Sequence, residues 1–247
     1  MDYDKRFFDR VDRGALQSAQ IVVRGLLPHV RVGTLLDVGC GRGSWAATWQ
    51  RMGCSDVVGV DGPDVDPTTL HIAASAFMVI DLVRPFDLSR RFDMVQCLEV
   101  AEHLPKDAAD GLIDSLVRHG DVVLFSAAGP GQGGTHHVNE QPLEYWRQKF
   151  AVRGYVPFDM LRADMRTNRD VEPFYRYNIV LYANAMGQMR LSAEMRRSIV
   201  GPQAELTEHG SLAWRVRKVL LRPLPRAVVD RLARGVGLLS GAGFRDS

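Results

Sequence analysis

No stretch of the 247-residue chain is both long and apolar enough to span a bilayer. The opening Met-Asp-Tyr-Asp-Lys-Arg has mixed charges and no apolar run, so it does not read as a secretory leader. Cysteine is scarce. Cys40, Cys54 and Cys97 sit in or beside apolar stretches, with none of the paired spacings of a zinc site or a redox pair. Three buried, reduced thiols in a cytoplasmic protein are the expectation. The net charge of +2 is too small to argue for nucleic acid. Internal repeats and low-complexity segments are missing as well. What remains is an ordinary globular composition, 46% hydrophobic and 24% charged, long enough for one well-buried core and an appendage.

Glycine is present where it matters. Residues 34–45 read Thr-Leu-Leu-Asp-Val-Gly-Cys-Gly-Arg-Gly-Ser-Trp. The apolar first half suits a buried parallel strand. Gly39, Gly41 and Gly43 then let the backbone turn and approach a ligand, and Trp45, Ala46, Ala47, Trp49 and Met52 follow at helical spacing. A strand, a tight turn and a helix put free N–H groups at a helix N-terminus, ready for a carboxylate or phosphate. A dinucleotide fingerprint wants glycine or alanine three positions after the second glycine. Ser44 stands there and the third glycine comes one residue early, which disfavours a nicotinamide dehydrogenase. The pattern Asp-x-Gly-x-Gly-x-Gly, from Asp37 to Gly43, resembles the first motif of the class I S-adenosylmethionine (SAM) methyltransferases.

Further short apolar runs alternate with helical patterns. Val57-Val58-Gly59-Val60 ends in Asp61 and Gly62, and Phe77-Met78-Val79-Ile80 ends in Asp81 and Leu82. Phe92-Asp93-Met94-Val95-Gln96-Cys97 and Asp121-Val122-Val123-Leu124-Phe125-Ser126 follow, and the expected last strand is residues 177–183. Helices are expected over residues 16–27, from Ser44, from about Pro105 and around residues 143–150, the first covering the mouth of the glycine turn. This alternation predicts a doubly wound, Rossmann-like α/β fold, with a mostly parallel seven-stranded sheet and helices on both faces. Ligands of such sheets bind beyond the carboxyl ends of the strands. We divide the chain into an N-terminal helical cap (1–31), a cofactor-binding domain (32–187) and a basic amphipathic helical extension (188–247).

The resemblance extends to Val58-Gly59-Val60-Asp61-Gly62 and to the run from Phe92 through Glu99-Val100-Ala101-Glu102-His103-Leu104-Pro105. Together these are similar to successive class I methyltransferase motifs over roughly residues 15–185. The run from Gly133 to Gln141, Gly-Gly-Thr-His-His-Val-Asn-Glu-Gln, resembles a bacterial subgroup of small-molecule, sugar and glycan pathways. The resemblance implies SAM as cofactor. Gly39, Cys40, Gly41 and Gly43 then meet its amino-acid end, with Asp37 orienting the turn. Asp61 and Gly62 take the ribose, Asp81 and Leu82 the adenine, and Cys97 and Glu99 lie near the cofactor. A strand-terminal acid alone is more often a turn residue; three at successive strand ends favour the ligand.

Methyl transfer to oxygen needs a positioned nucleophile and a proton acceptor. His136 and His137 lie in the loop after the fifth strand and are the candidate bases; the alternative is that they brace the loop. Glu140, Tyr175, Arg176 and Asn178 are the candidate acceptor contacts, against ordinary packing beside an edge strand. Glu102 and His103 read equally as braces of the following helix. His136, His137 and Glu140 could also be metal ligands, but their spacing is not that of a helical His-Glu-x-x-His and no acid cluster completes a site, so no metal is expected. The acceptor is expected to be a small metabolite, sugar or glycan, with nitrogen or carbon transfer and a non-catalytic cofactor-binding scaffold as rivals, and no nucleic acid.

From Arg190 onward eleven basic residues face five acidic ones, leaving the first 189 residues net acidic. Leu212, Val216, Val219 and Leu220, then Val228, Val229 and Leu232, form apolar stripes among arginines, split by Pro223 and Pro225. Such a segment can touch an anionic membrane surface, pack on the catalytic domain or join two subunits.

Overall fold

The computed structural model describes residues 5–206, 210–221 and 228. Tyr3 and, apart from Val228, the second basic piece expected around residues 223–234 lie outside the described residues.

A seven-stranded sheet is built from β1 (Thr34–Val38), β2 (Asp56–Asp61), β3 (Phe77–Val79), β4 (Met94–Leu98), β5 (Val122–Ser126), β6 (Val156–Phe158) and β7 (Val180–Ala183). Its order is β3-β2-β1-β4-β5-β7-β6. The first five strands pair in parallel, and β7 runs antiparallel to both β5 and β6. β4 and β5 are buried at every residue, as strands covered on both faces must be, which is why they read as unbroken apolar runs. β3 forms one edge, and Met78 and Val79 are exposed on it.

Side chains alternate along each strand, and the two faces carry separate cores. Leu35, Met94 and Leu124 pack under α1 (Lys5–Leu26), α2 (Ser44–Arg51) and α5 (Met160–Met165) through Ala19, Val23, Trp49 and Leu161. Leu36, Val95, Val123 and Phe125 pack under α3 (Ala109–His119) and α4 (Leu143–Ala151) through Leu112, Ile113, Trp146 and Phe150. This is the doubly wound architecture expected from the alternating pattern.

The stretch expected to begin the last strand differs. Pro173–Asn178 is a helix, α6, and the strand starts only at Val180. Proline is at home in a first helical turn. Tyr175 and Tyr177 are buried from the helix, so their aromatic character answers to packing rather than to a strand. The extension is not separate from the sheet at its start. After α7 (Ala185–Met189), Leu191 and then Met195 of α8 (Ala193–Arg197) enter the first core, and Val30 and Phe158 form isolated bridges to Leu191 and Ile199. Beyond it, α9 (Leu212–Leu221) sets Trp214 against Tyr177, with ring centroids 5.6 Å apart. No helix among the described residues is long and apolar enough to cross a membrane.

Candidate active site

A cleft of about 790 Å³ opens beyond the carboxyl ends of β1, β2 and β4. Strand order reverses between β1 and β4, so the loops leaving these strands diverge and leave a crevice. The cleft brings together Asp37, Gly39, Cys40, Gly41, Asp61, Gly62, Asp81, Leu82, Glu99, His137 and Tyr175. Of the other residues singled out from the sequence, Gly43, Cys97, His136, Glu140, Arg176 and Asn178 are not among those lining it.

The glycine turn is tied to β2. Gly39 N–H and Cys40 N–H both donate to Val60 O, at 2.8 and 3.2 Å. Gly39 has φ 74° and passes so close to Val100 that a Cβ would lie 2.2 Å from Val100 Cγ2. Gly41, at φ 53°, lines the cleft, and a Cβ there would meet nothing within 4 Å. Asp61 accepts from Gly41 N–H at 2.6 Å and Gly62 N–H at 2.7 Å. It therefore clamps two glycines while facing the cleft. Gly43 caps α2 in a left-handed conformation. The N-terminal helix does cover the turn, because Asp12 accepts from Arg42 Nη1 at 3.1 Å and Ser44 Oγ at 2.7 Å.

Asp37 is buried, and its Oδ2 has no hydrogen-bond partner. Burial pushes its carboxyl up to about 7, against a lowering influence from Gln96 beside it. Gln96 is itself pinned by Trp49 Nε1–H at 3.0 Å. Burial also raises the Asp61 carboxyl and the thiols of Cys40 and Cys97. Asp81 is exposed, accepting from Val83 N–H at 3.1 Å and facing Arg84 at 3.5 Å, while Leu82 is buried on the cleft wall.

The opposite end is formed by Glu99, Glu102, His103 and the 133–141 loop. Glu99 has φ 55°, and its carboxylate accepts from Gln132 Nε2 at 2.9 Å and Asn178 Nδ2 at 3.2 Å. Asn178 thus braces Glu99 from α6, and Arg176 lies over the Tyr177 ring at 4.8 Å; neither lines the cleft. Tyr175 does, set edge-on to Trp45 at 4.9 Å. Glu102 and His103 lie in the short helical turn Ala101–His103 that follows β4. They line the cleft, and neither Glu102 oxygen nor His103 Nδ1 has a hydrogen-bond partner. Burial, reinforced by Glu99, raises the Glu102 carboxyl well above the carboxylate range. Burial, with His137 next, lowers His103 to about 3.

His137 Nδ1 lies 2.9 Å from Glu140 Oε1. Glu140 also accepts from Gly133 N–H at 2.7 Å and Gly131 N–H at 2.8 Å. Burial raises this carboxyl, but His137 and the two glycine donors outweigh it and hold it below its ordinary value. Both oxygens are used inside the loop, so Glu140 is an orienting group there. His136 has φ 61° and sits outside the cleft. One ligand atom each of Glu102, His103 and His137 lie within 4.8 Å of one another. Sequence order hid this cluster, since 34 residues separate His103 from His137; the only local hint was His103 directly after Glu102.

Comparison with known proteins fits this geometry. A methyltransferase-domain family model matches residues 12–158, more than half of the chain. The ubiquinone biosynthesis O-methyltransferase of Neisseria meningitidis serogroup C (strain 053442) is 32% identical over 120 residues, 45% of this chain and 46% of that protein. The chain thus aligns with less than half the length of the curated relatives it matches. An O-methyltransferase family protein from Burkholderia thailandensis superposes with a TM-score of 0.54 at 15% identity, covering 72% of this chain and 58% of the other. DesVI of Streptomyces venezuelae gives 0.52 at 14% identity, covering 71% and 94%.

Fold and cleft define a class I methyltransferase architecture. The chain belongs to the SAM-dependent methyltransferase family, and SAM is its cofactor. The residues present fit that cofactor on their own terms. Asp37 Oδ2, buried and unpartnered, suits an ammonium, and the Gly39–Gly41 backbone leaves room for an amino-acid end. Asp61, Asp64 and Asp81 on the cleft wall suit a cationic sulfonium better than a pyrophosphate.

Proposed function

We propose that the chain transfers the methyl group of SAM to an oxygen of a small metabolite, sugar or glycan, with His137 receiving the acceptor's proton. The observation that carries this reading is His137 itself: it lies on the cleft wall with Nδ1 held by an ionised Glu140, leaving Nε2 as the nitrogen that can accept a proton. The O-methyltransferase name of the Neisseria relative supports the choice of oxygen.

SAM supplies an electrophilic methyl group on a sulfonium. The chain must then align the acceptor and remove its proton. The Gly39–Gly41 turn, Asp37 and Asp61 hold one end of the cleft, and Tyr175 and Phe174 wall it off from α6. At the other end His137 Nε2 would take the proton of the acceptor O–H, leaving the oxygen to bond the methyl carbon that SAM would supply while sulfur keeps the S–CH3 bond pair as a thioether. Glu140 keeps the imidazole in the tautomer that can take that proton.

Methyl-labelled SAM with a panel of phenols, catechols and sugars tests the reading. His137→Ala is expected to lower turnover by about 10²- to 10⁴-fold with SAM affinity retained, and Glu140→Gln to lower it less. Label entering only amines, or full turnover in His137→Ala, would overturn it. For the extension we propose self-association or contact with an anionic membrane surface, supported by the exposed Leu212, Val216, Val219 and Leu220 of α9.

A further inference from the structure

We propose that Gly134 is a positioning residue for the proposed base: it gives the His137 imidazole bare backbone to lie against, and a side chain there would turn the ring away from the acceptor. The inference rests on the reading of His137 as the proton acceptor and concerns what fixes its ring. Close approach is the first argument. A Cβ at Gly134 would stand 2.2 Å from His137 Nε2, 2.4 Å from Cε1 and 2.8 Å from Cδ2. Atoms in ordinary contact are about 3.5–4.0 Å apart, so the ring would have to withdraw by more than about 1 Å.

Backbone conformation is the second argument. Gly131 and Gly133 have φ 79° and 67°, which calls for glycine at both. Gly134 has no positive φ, so its backbone alone calls for no glycine. The neighbour that excludes a side chain is the imidazole. A Cβ on the lone-pair axis of Nε2 would stand well beyond both ring carbons; close approach to all three ring atoms puts Gly134 against the ring face instead. The in-plane lone pair of Nε2 is therefore unobstructed by Gly134, and both residues line the cleft.

Other contacts hold the ring on this seat. Glu140 Oε1 lies 2.9 Å from Nδ1, and its carboxylate is anchored by the N–H groups of Gly131 and Gly133. His103 meets the ring edge-on, with centroids 4.9 Å apart. Burial holds His103 down at about 3, so it confines His137 without setting a second positive charge beside it. Val138 N–H and Asn139 N–H donate to Glu102 O at 2.8 and 3.0 Å, tying the loop to the turn that carries His103. A ring displaced from this seat loses the Glu140 bond that sets its tautomer, and a misplacement of about 1 Å costs a reaction roughly 10²-fold.

The test uses the full-length chain, isotopically labelled at its histidine ring nitrogens and saturated with SAM, without acceptor. Long-range proton–nitrogen NMR spectra at neutral pH should show His137, identified by its loss in His137→Ala, as the Nδ1–H tautomer. Gly134→Ala should convert it to a mixture of both tautomers, while calorimetric titration shows SAM affinity unchanged in each variant. With the member of the phenol, catechol and sugar panel that takes label, Gly134→Ala should lower kcat about 10²-fold at unchanged KM for SAM. That loss should not multiply with the loss in His137→Ala, because both act through one ring. A wild-type tautomer in Gly134→Ala, or losses that multiply in the double variant, would overturn the inference. Because the spectra need no acceptor, full turnover in His137→Ala beside a disturbed tautomer in Gly134→Ala would refute the base reading alone.

Discussion

Asp37 carries a carboxyl that burial pushes from 3.8 to about 7, at the end of the cleft proposed to hold the amino-acid end of SAM. The folded chain therefore binds this proton more tightly than the unfolded chain does. Its contribution to stability is present at low pH and is lost as pH rises from 3.8 through 7. Cofactor binding runs the other way, because an ammonium favours the ionised carboxylate. SAM affinity is expected to rise from pH 6 to a maximum between about pH 7 and 8 and to fall above it as the α-ammonium of SAM loses its own proton, and Asp37→Asn should flatten the rising limb. Calorimetric titration across this range measures it; a pH-independent wild-type affinity would remove Asp37 from the ammonium site.

Gly39 offers a second test at the same scale. Alanine there would take a left-handed φ and drive its Cβ to 2.2 Å from Val100 Cγ2. Gly39→Ala should cost about 1–3 kcal/mol, read as a lowered thermal midpoint, with loss of SAM binding. Val100→Ala in the same chain should recover the part due to contact and leave the part due to φ. Wild-type stability in Gly39→Ala would refute the close approach.

At the scale of elements, β1, β4 and β5 were legible because strands buried on both faces must be apolar throughout, and β2 and the edge strand β3 because their short apolar runs end in acids. The glycine turn and its two following acids were legible for the same reason. α6 was not, since Tyr175, Tyr177 and Ile179 carry strand propensity while tertiary packing decides otherwise. β6 is only three residues long, too short for a periodicity to show. The pairing of the Glu102–His103 turn with the 133–141 loop was illegible on principle. It depends on two backbone bonds to Glu102 O, and no sequence spacing encodes them.

For the whole molecule, the exposed stripe on α9 matters. Leu212, Val216, Val219 and Leu220 recur along one face. Replacing Leu212, Val216 and Val219 together by serine should abolish liposome sedimentation or self-association, whichever the wild type shows, without changing the thermal midpoint by more than a few degrees. Wild type that neither sediments with anionic vesicles nor departs from monomer mass would dismiss both roles.

The inverted strand order at the β6 edge bears on biosynthesis. β7 lies between β5 and β6 but is the last strand of the sheet to be made. Until residues 180–183 leave the ribosome, β5 offers an open edge and the three residues of β6 have nothing to pair with. At about 5–20 residues per second, β7 follows the glycine turn by roughly 7–27 s. The cofactor end of the cleft is thus encoded early, whereas the wall built on α6 and β7 is set only when the sheet closes. A nascent chain halted just before Val180 would be a substrate for chaperones before it is a catalyst.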